Sequence, residues 1–193
     1  AVEKSLERCG TNRFDLLLLH NPDSIGYSSP AVWEGLHAVQ EAGLAEHLGV
    51  APGPANGFTL DLIHCFEKFG GLIDFAMIIL NPLEPWPGQL ALPAAEKHNV
   101  KLITRVVDYG GLFHDDVKPG HPFRGNDHRA FRPAGWVEAG HARMERMRAL
   151  ADKHQLTMLQ MASIWNLSQP PVKTVAPTLI QEASPDAKPI ELN

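Results

Sequence analysis

The feature that most constrains the fold of this chain is the repeated alternation of short apolar runs with segments of helical spacing. Short apolar runs without polar alternation are typical of strands buried on both faces, as in a parallel sheet. They predict five strands, at residues 14–19, 47–51, 73–80, 100–107 and 172–176. Helical spacing predicts helices at residues 1–10, 30–43, 58–69, 90–98, 137–154 and 157–167. Strands and helices that alternate in this way indicate an α/β domain with a parallel sheet.

Two architectures are compatible with this pattern, a closed barrel of eight βα units and an open, doubly wound sheet. A barrel needs roughly 250 residues, whereas the chain has 193. The chain begins inside a predicted helix, and Pro189 near its end suits the first turn of a further helix. We therefore expect residues 1–193 to form one incomplete (β/α)8 TIM-type barrel domain, truncated at its N-terminus. It would lack the first three βα units and the last helix. The open sheet is the alternative.

The net charge, the length of the apolar runs and the number of cysteines limit the kinds of partner and compartment that suit this chain. With 17 Lys and Arg against 22 Asp and Glu, the formal net charge is −5, which argues against nucleic acid as the partner. The apolar runs are too short to span a membrane, so no membrane association is expected. The two cysteines, Cys9 and Cys65, form no disulfide framework and are typical of a reducing compartment, so we expect a cytoplasmic protein. The oligomeric state stays open.

His20 is the first candidate functional residue, because it directly follows the apolar run at residues 14–19. In barrels, the C-terminal ends of parallel strands face the active site. The alternative is a histidine that hydrogen-bonds a backbone carbonyl at the strand end. Tyr27, in the polar segment that follows, is expected at the surface or at the rim of a substrate site.

The sequence around His20 resembles the aldo/keto reductase family. The resemblance is carried by S-L-E-R-C-G at residues 5–10 and R-F-D-L-L-L-L-H-N-P at residues 13–22. It implies an enzyme that reduces an aldehyde or ketone with NAD(P)H, or oxidises the alcohol in reverse, in which His20 holds and polarises the carbonyl. The family's catalytic tyrosine, lysine and aspartate belong to the first three units. The chain alone is therefore expected to be inactive.

Further segments resemble the later strands of the family but depart from it at cofactor positions. After E-H-L-G-V at residues 46–50 the family continues with Ser-Asn, which binds the nicotinamide amide, whereas this chain has Ala51 and Pro52. Asn56 is near enough in sequence to substitute. Met77 stands where the family often has a glutamine.

Arg105 stands where an aromatic residue of the family commonly stacks on the nicotinamide ring. A planar guanidinium can stack on a ring as well, so the role can survive the change. The resemblance implies the following cofactor-binding residues: Asn81, Arg105, Gly110, Gly111, Pro177, Thr178, Leu179 and Gln181.

The implied cofactor is NADPH. NADH stays possible, because no cation directly follows Pro177 and Lys188 is the first one after it. The implied substrate is a small carbonyl compound, with Trp86 and Phe113 in its pocket. The long polar loop at residues 108–136 would cap that pocket.

Two other functions stay open. The departures at residues 51, 52, 77 and 105 suit a dinucleotide-binding module without turnover. A metal-dependent barrel hydrolase would instead use the imidazoles and carboxylates of the long loop, whose spacings match no standard set of metal ligands. For that reason a polar lid without metal is the preferred interpretation of the loop. These loop residues are His114, Asp115, Asp116, His121, Asp127 and His128.

Overall fold

A computed structural model describes residues 1–53, 56–182 and 187–192. The strands are β1 (Phe14–His20), β2 (Ala45–Ala51), β3 (Phe75–Ile79), β4 (Lys101–Arg105) and β5 (Val172–Ala176). The helices are α1 (Val2–Cys9), α2 (Ser24–Ser28), α3 (Pro30–Glu41), α4 (Thr59–Phe69), α5 (Ala91–Lys97), α6 (Trp136–Lys153) and α7 (Met158–Leu167). All five predicted strands and all six predicted helices are present.

The strand order distinguishes the two architectures. The five strands lie side by side in chain order, and every neighbouring pair is parallel. A doubly wound sheet reverses its strand order at a switch point, and the described strands show no such reversal. A consecutive parallel order with intervening helices is the arrangement of a (β/α)8 barrel. The expected fold class is confirmed, with five of the eight strands of such a barrel.

Among the α-helices of the described residues, α2 is the one that the sequence pattern did not predict. It is a single turn of five residues, too short for a periodic apolar stripe. Its N-cap is Asp23, whose side chain accepts a hydrogen bond from the backbone N–H of Gly26 at 2.9 Å. A capping carboxylate of this kind satisfies an otherwise unpaired N–H of the first turn.

The main core lies between the outer face of the sheet and helices α2 to α5. Trp33 from α3 and Phe66 from α4 are fully buried there against Val50 of β2 and Leu102 of β4. Tyr27 belongs to this core too, so its predicted position at the surface is wrong. Its ring stacks on Phe58 at 5.7 Å between centroids. Burial, with smaller effects of Asp61 and Cys65, raises the pKa of Tyr27 to about 12.

A second core lies beneath the long loop, against α6 and α7. Phe113 is 1% exposed in this core and packs in the same cluster as Leu112, Val137 and Met144. The prediction that Phe113 lines a substrate pocket is therefore wrong. From the sequence, an aromatic residue in a Gly-rich loop is as typical of a core as of a pocket wall. Its packing against α6 is what places Phe113 in the core.

None of the helices in the described ranges combines the length and apolar character that crossing a membrane requires. Cys9 is exposed and Cys65 is buried, and both are free thiols.

Candidate functional site

His20 and Arg105 lie on the same face of the sheet, at the end where the strands have their carboxyl termini. Each is the last residue of its strand, β1 and β4 respectively. Leu19 and Leu102 pack into the core that faces the helices. Because successive side chains of a strand point to opposite faces, His20 and Arg105 point to the inner face. His20 is exposed there. The carboxyl ends of the strands thus bring an imidazole and a guanidinium to one rim.

Arg105 is fixed across the ends of its neighbouring strands. Its Nη2 donates a hydrogen bond of 2.6 Å to the carbonyl oxygen of Gly53, just beyond β2. Burial lowers the pKa of Arg105 from its usual value. Among the described residues, no carboxylate lies within ion-pair distance of its guanidinium. The rim therefore carries a half-buried positive charge without a counter-ion from the described chain.

The backbone pairing between β2 and β3 ends before β3 does, and the Asn56 side chain bonds the unpaired end of β3. The backbone ladder between these strands stops at Val50 and Ala76. Beyond it, the Asn56 side chain donates to the Ile79 carbonyl at 2.9 Å and accepts from the Ile79 N–H at 3.2 Å. Its amide thus takes the place of a missing strand neighbour, a task different from the cofactor contact that its position in the sequence suggested.

Asn81 has a structural role that differs from the predicted one. Its side chain is completely buried. Nδ2 donates to the Val106 carbonyl at 3.0 Å, and Oδ1 accepts from the N–H groups of Leu83 and Glu84 at 3.0 and 2.8 Å. The expectation that Asn81 contacts a cofactor is corrected accordingly, because both ends of its amide are already bonded to backbone and hidden from solvent.

A cleft of about 670 Å³ opens at this rim, between the loop after β4, the segment at residues 127–132 and the residues after β5. This volume lies in the range of ligand sites in proteins. Three of the residues predicted to bind the cofactor, Arg105, Gly110 and Thr178, line it. The full lining is Arg105, Val106, Asp108, Gly110, Asp127, His128, Arg129, Phe131, Arg132, Thr178 and Ile180.

Asp108 joins two walls of the cleft. Its carboxylate is completely buried and accepts from the N–H of Gly111 at 2.9 Å and the N–H of Thr178 at 2.8 Å. The first bond closes a turn in the loop after β4, and the second fixes the residues after β5. The local signal for the turn was present in the sequence, because Asp often bonds the backbone a few residues ahead of itself before glycines. The second bond spans 70 residues and left no such signal.

A buried ionic cluster supports the same loop. We call Arg129, Asp127, Glu182 and His121 the Arg129 cluster. The Arg129 side chain is bonded to Asp127 at 2.7 Å and to Glu182 at 2.5 Å, and His121 lies 3.0 Å from Glu182. Burial by itself would lower the pKa of Arg129, but the two carboxylates raise it above its usual value. Arg129 also donates to the Gly110 carbonyl at 3.0 Å, which fixes the glycine pair.

Gly111 is a position that strongly favours glycine. Its φ is +96°, and a Cβ there would lie 2.8 Å from Val117 Cγ2 and 3.2 Å from Arg129 Nη1. A side chain would therefore be strained in its backbone and would press on the Arg129 cluster. Of the glycine pair, Gly110 lines the cleft, and its carbonyl is held by Arg129.

The residues after β5 are fixed by the segment at residues 187–192. The Gln181 side chain donates to the Lys188 carbonyl at 2.9 Å and accepts from the Ile190 N–H at 2.8 Å. Lys188 lies 3.4 Å from Asp116, so its charge is compensated. Pro177 is half-buried and Leu179 is exposed beside the cleft. Their predicted cofactor contacts stay predictions.

Trp86, the other predicted pocket residue, lies in the loop after β3. Its side chain is 62% exposed. In this position it is available to a ligand at the rim, and its assignment to a substrate pocket stays a prediction.

Five of the six imidazoles and carboxylates considered in the long loop, all except His128, contact residues outside that set. His114 Nε2 lies 3.1 Å from the Thr178 carbonyl oxygen, Asp115 bonds Arg148 at 2.6 Å, and His121 belongs to the Arg129 cluster. Within the part of the chain that the structure describes, no group of three or more His, Cys, Asp or Glu residues is arranged to hold a metal ion. The hydrolase hypothesis therefore lacks the ligand set that motivated it.

Comparison with known proteins gives both a family and structural relatives. The sequence model of the aldo/keto reductase family matches residues 1–184. The chain is 25% identical to the glycerol dehydrogenase of Gluconobacter oxydans, with a TM-score of 0.75 over 92% of this chain and 53% of that one. An aldo/keto reductase of Klebsiella pneumoniae, solved with NADP and acetate, is 17% identical with a TM-score of 0.64 over 92% and 53%.

The holo form of an aldo-keto reductase from Bacillus halodurans is 17% identical, with a TM-score of 0.62 over 91% of this chain and 52% of that one. At this level of identity, the Klebsiella and Bacillus proteins show the fold alone. The chain spans about half the length of these solved structures. No curated protein matches it.

Proposed function

Because the chain belongs to the aldo/keto reductase family, we propose that it is part of an enzyme that transfers hydride between NAD(P)H and a carbonyl compound. The substrate would be a small aldehyde or ketone, or the corresponding alcohol in the reverse direction. The observation that carries the proposal is the 670 Å³ cleft beside the inner-face rim where β1 and β4 end with His20 and Arg105. Ligands of barrels bind at this end of the strands.

The residues at the rim suit a nicotinamide dinucleotide. Arg105 offers a flat cation on which a ring can lie. Gly110 and Gly111 would let backbone approach the phosphates closely, and Pro177, Thr178, Leu179 and Gln181 would follow the cofactor along the other wall. When bound, the nicotinamide supplies the hydride.

His20 is the proposed catalytic residue. Its side chain is exposed on the inner face at the end of β1. An imidazole N–H there would donate a hydrogen bond to the substrate oxygen, hold the carbonyl in place and stabilise the negative charge that develops on it. Trp86 would contribute the apolar wall that excludes water.

The proposed cofactor is NADPH, with NADH as the competing choice. The cleft is lined by Arg105, Arg129 and Arg132, and the carboxylate nearest to Arg132 is that of Glu84 at 3.7 Å. Arginines match phosphate geometry well, so Arg132 is a candidate partner for a 2′-phosphate. Lys188, the first cation after Pro177, is paired with Asp116 instead.

The experiment that tests the proposal replaces His20 in the longest natural form of the protein. His20→Ala is expected to lower kcat/KM for aldehyde reduction by about 10²-fold or more, because removing one such donor has effects of this size. The Kd for NADPH should stay nearly unchanged. His64→Ala is the matched control, since His64 is exposed on α4. Unchanged turnover in His20→Ala would remove the proposed role of His20.

A second function, dinucleotide binding without turnover, is favoured by Ala51 and Pro52, which offer no side-chain hydrogen bonds where the resemblance implies two. The same assay distinguishes the two functions. Tight binding of NADPH, without reduction of any aldehyde in a broad panel, would support the binding module.

We also propose that the chain is one incomplete barrel domain of a cytoplasmic protein whose partner is a small molecule. The strand order supports the domain assignment, and the two free thiols are compatible with a reducing compartment.

A further inference from the structure

We propose that Arg105 makes the site discriminate between the two redox states of the nicotinamide, so that NADPH binds more tightly than NADP⁺. The inference rests on the proposed function, because it takes the cleft as the cofactor site and Arg105 as the group beneath the nicotinamide ring. It goes further in assigning a selectivity to a single charged residue.

The first step is the position of the charge. The Arg105 guanidinium is fixed by its 2.6 Å bond to the Gly53 carbonyl, which spans the end of β3. It is half-buried on the inner face and lines the cleft. Moving this side chain into solvent when a ligand arrives would break the bond, which favours its present position.

The second step is that no carboxylate of the described residues lies within ion-pair distance of the Arg105 guanidinium. Two carboxylates also line the cleft. The Asp108 oxygens accept from the N–H groups of Gly111 and Thr178, and Asp127 is paired with Arg129 at 2.7 Å. Arg132, the third arginine of the cleft, has Glu84 at 3.7 Å. Of the three arginines that line the cleft, Arg105 is the one without a carboxylate partner among the described residues.

The third step is the chemistry of the ligand. The oxidised nicotinamide is a pyridinium ring with a full positive charge, whereas the reduced ring is neutral and rich in π electrons. A guanidinium beneath the ring attracts the reduced form through a cation–π interaction and repels the oxidised form. The remainder of the cofactor is identical in the two states, so its contacts cancel in the comparison. An aromatic residue at position 105 would not produce this difference.

The experiment measures Kd for NADPH and NADP⁺ separately, by fluorescence or calorimetric titration of the longest natural form of the protein. The expected ratio of Kd(NADP⁺) to Kd(NADPH) is about tenfold or more, and it should fall as salt is added, because screening weakens the repulsion. Arg105→Gln should reduce the ratio to near one, mainly by tightening NADP⁺. Arg105→Lys, which keeps the charge, should retain most of it.

Arg146→Gln is the matched control. Arg146 is exposed on α6, so the same change of charge there should leave the ratio as it was. A ratio near one in the unmodified protein would overturn the inference while the proposed function stands. A large ratio that changes neither with added salt nor in Arg105→Gln would likewise overturn the inference while the proposed function stands. The salt measurement uses the unmodified protein, so it does not depend on whether a variant folds. Failure of both forms to bind would overturn the proposed function together with the inference.

The inference also predicts a kinetic signature. An enzyme that binds NADP⁺ weakly releases it readily after carbonyl reduction. NADP⁺ should therefore be a weak product inhibitor of the unmodified protein and a stronger one of Arg105→Gln. Equal inhibition constants in the two proteins would count against the assignment.

Discussion

The Arg129 cluster places one arginine, one histidine and two carboxylates beneath the loop that forms a wall of the cleft. Arg129 and Glu182 are both almost fully buried. Buried charges are tolerated when each is paired and hydrogen-bonded, and Arg129 meets this condition through five donor contacts to Asp127 and Glu182. Breaking such a pair from one side leaves the other charges uncompensated.

Arg129→Leu is therefore expected to lower the free energy of unfolding by about 3–5 kcal/mol, because Asp127 and Glu182 would lose their common partner. Equilibrium urea unfolding measures the change. Arg13→Leu is the matched control, since Arg13 pairs with Glu46 on the surface, with side chains 53% and 47% exposed. That substitution should change stability by less than about 1 kcal/mol. Similar effects of the two substitutions would contradict the structural role of the cluster.

Asp127 gives the cluster a dependence on pH. Its bonds to Arg129 hold the pKa of the Asp127 carboxyl below its usual range, although burial acts in the opposite direction. The folded state thus binds this proton less readily than the unfolded state. The stabilisation is present in full above the ordinary carboxyl pKa of about 4 and is lost as the pH falls through the lowered value.

Unfolding followed between pH 6 and pH 2 should accordingly show a smaller loss of stability on acidification for Asp127→Asn than for the unmodified chain. Asp15→Asn is the control, because Asp15 is exposed on β1 and should not change the profile. Parallel profiles for all three proteins would show that the Asp127 proton is not linked to folding.

At the scale of the elements, the backbone of β3 lies very close to β2 at Gly49. A Cβ at Gly49 would lie 2.3 Å from the Phe75 carbonyl oxygen and 2.6 Å from Leu18 Cδ2. The backbone of β3 thus occupies the space that any side chain at residue 49 would need. Glycine in a strand often marks such a close approach.

Gly49→Ala is expected to destabilise the protein by about 1–3 kcal/mol, because the Phe75 carbonyl belongs to the backbone of β3 and cannot withdraw without a shift of the sheet. Gly35→Ala on α3 is the matched comparison. Nothing lies within 4 Å of a Cβ at Gly35, so alanine there should raise stability by about 0.5–1 kcal/mol through its higher helix propensity. Thermal unfolding followed by circular dichroism distinguishes the two, and a harmless Gly49→Ala would contradict the described strand contact.

The elements were predictable from the sequence because their periodicity is local. Buried strands and amphipathic helices differ in spacing within ten residues, and Gly10 ends α1 in the left-handed conformation that its position predicts. The site was less predictable. Asp108 with Thr178 and Arg129 with Glu182 pair across more than 50 residues, and no local pattern indicates a partner at that distance.

At the scale of the whole molecule, the described sheet has two free edges. β1 pairs with β2 on one side only, and β5 with β4 on one side only. The inner face between them carries half-buried apolar side chains, among them Leu16, Leu18 and Ile103. Unpaired strand edges of this kind promote association with other chains.

The 193-residue chain expressed alone is therefore expected to associate, with a mass in light scattering at or above twice the 21.2 kDa of one chain. Leu16→Lys puts a charge on the inner face of the edge strand β1 and should shift the mass towards the monomer. Leu60→Lys is the control, because Leu60 is already 73% exposed on α4. A monomeric, sharply melting chain would show that the free edges are harmless.

The two loops that border the cleft have a consequence for protein engineering. Asp108 bonds Thr178, Arg129 bonds Glu182, and His114 contacts the Thr178 carbonyl. The segment after β4 therefore has much of its support in the segment after β5. Grafting either segment by itself onto a related barrel would transfer buried charges without their partners. To move this cleft between scaffolds, both segments have to be transplanted together as one composite unit.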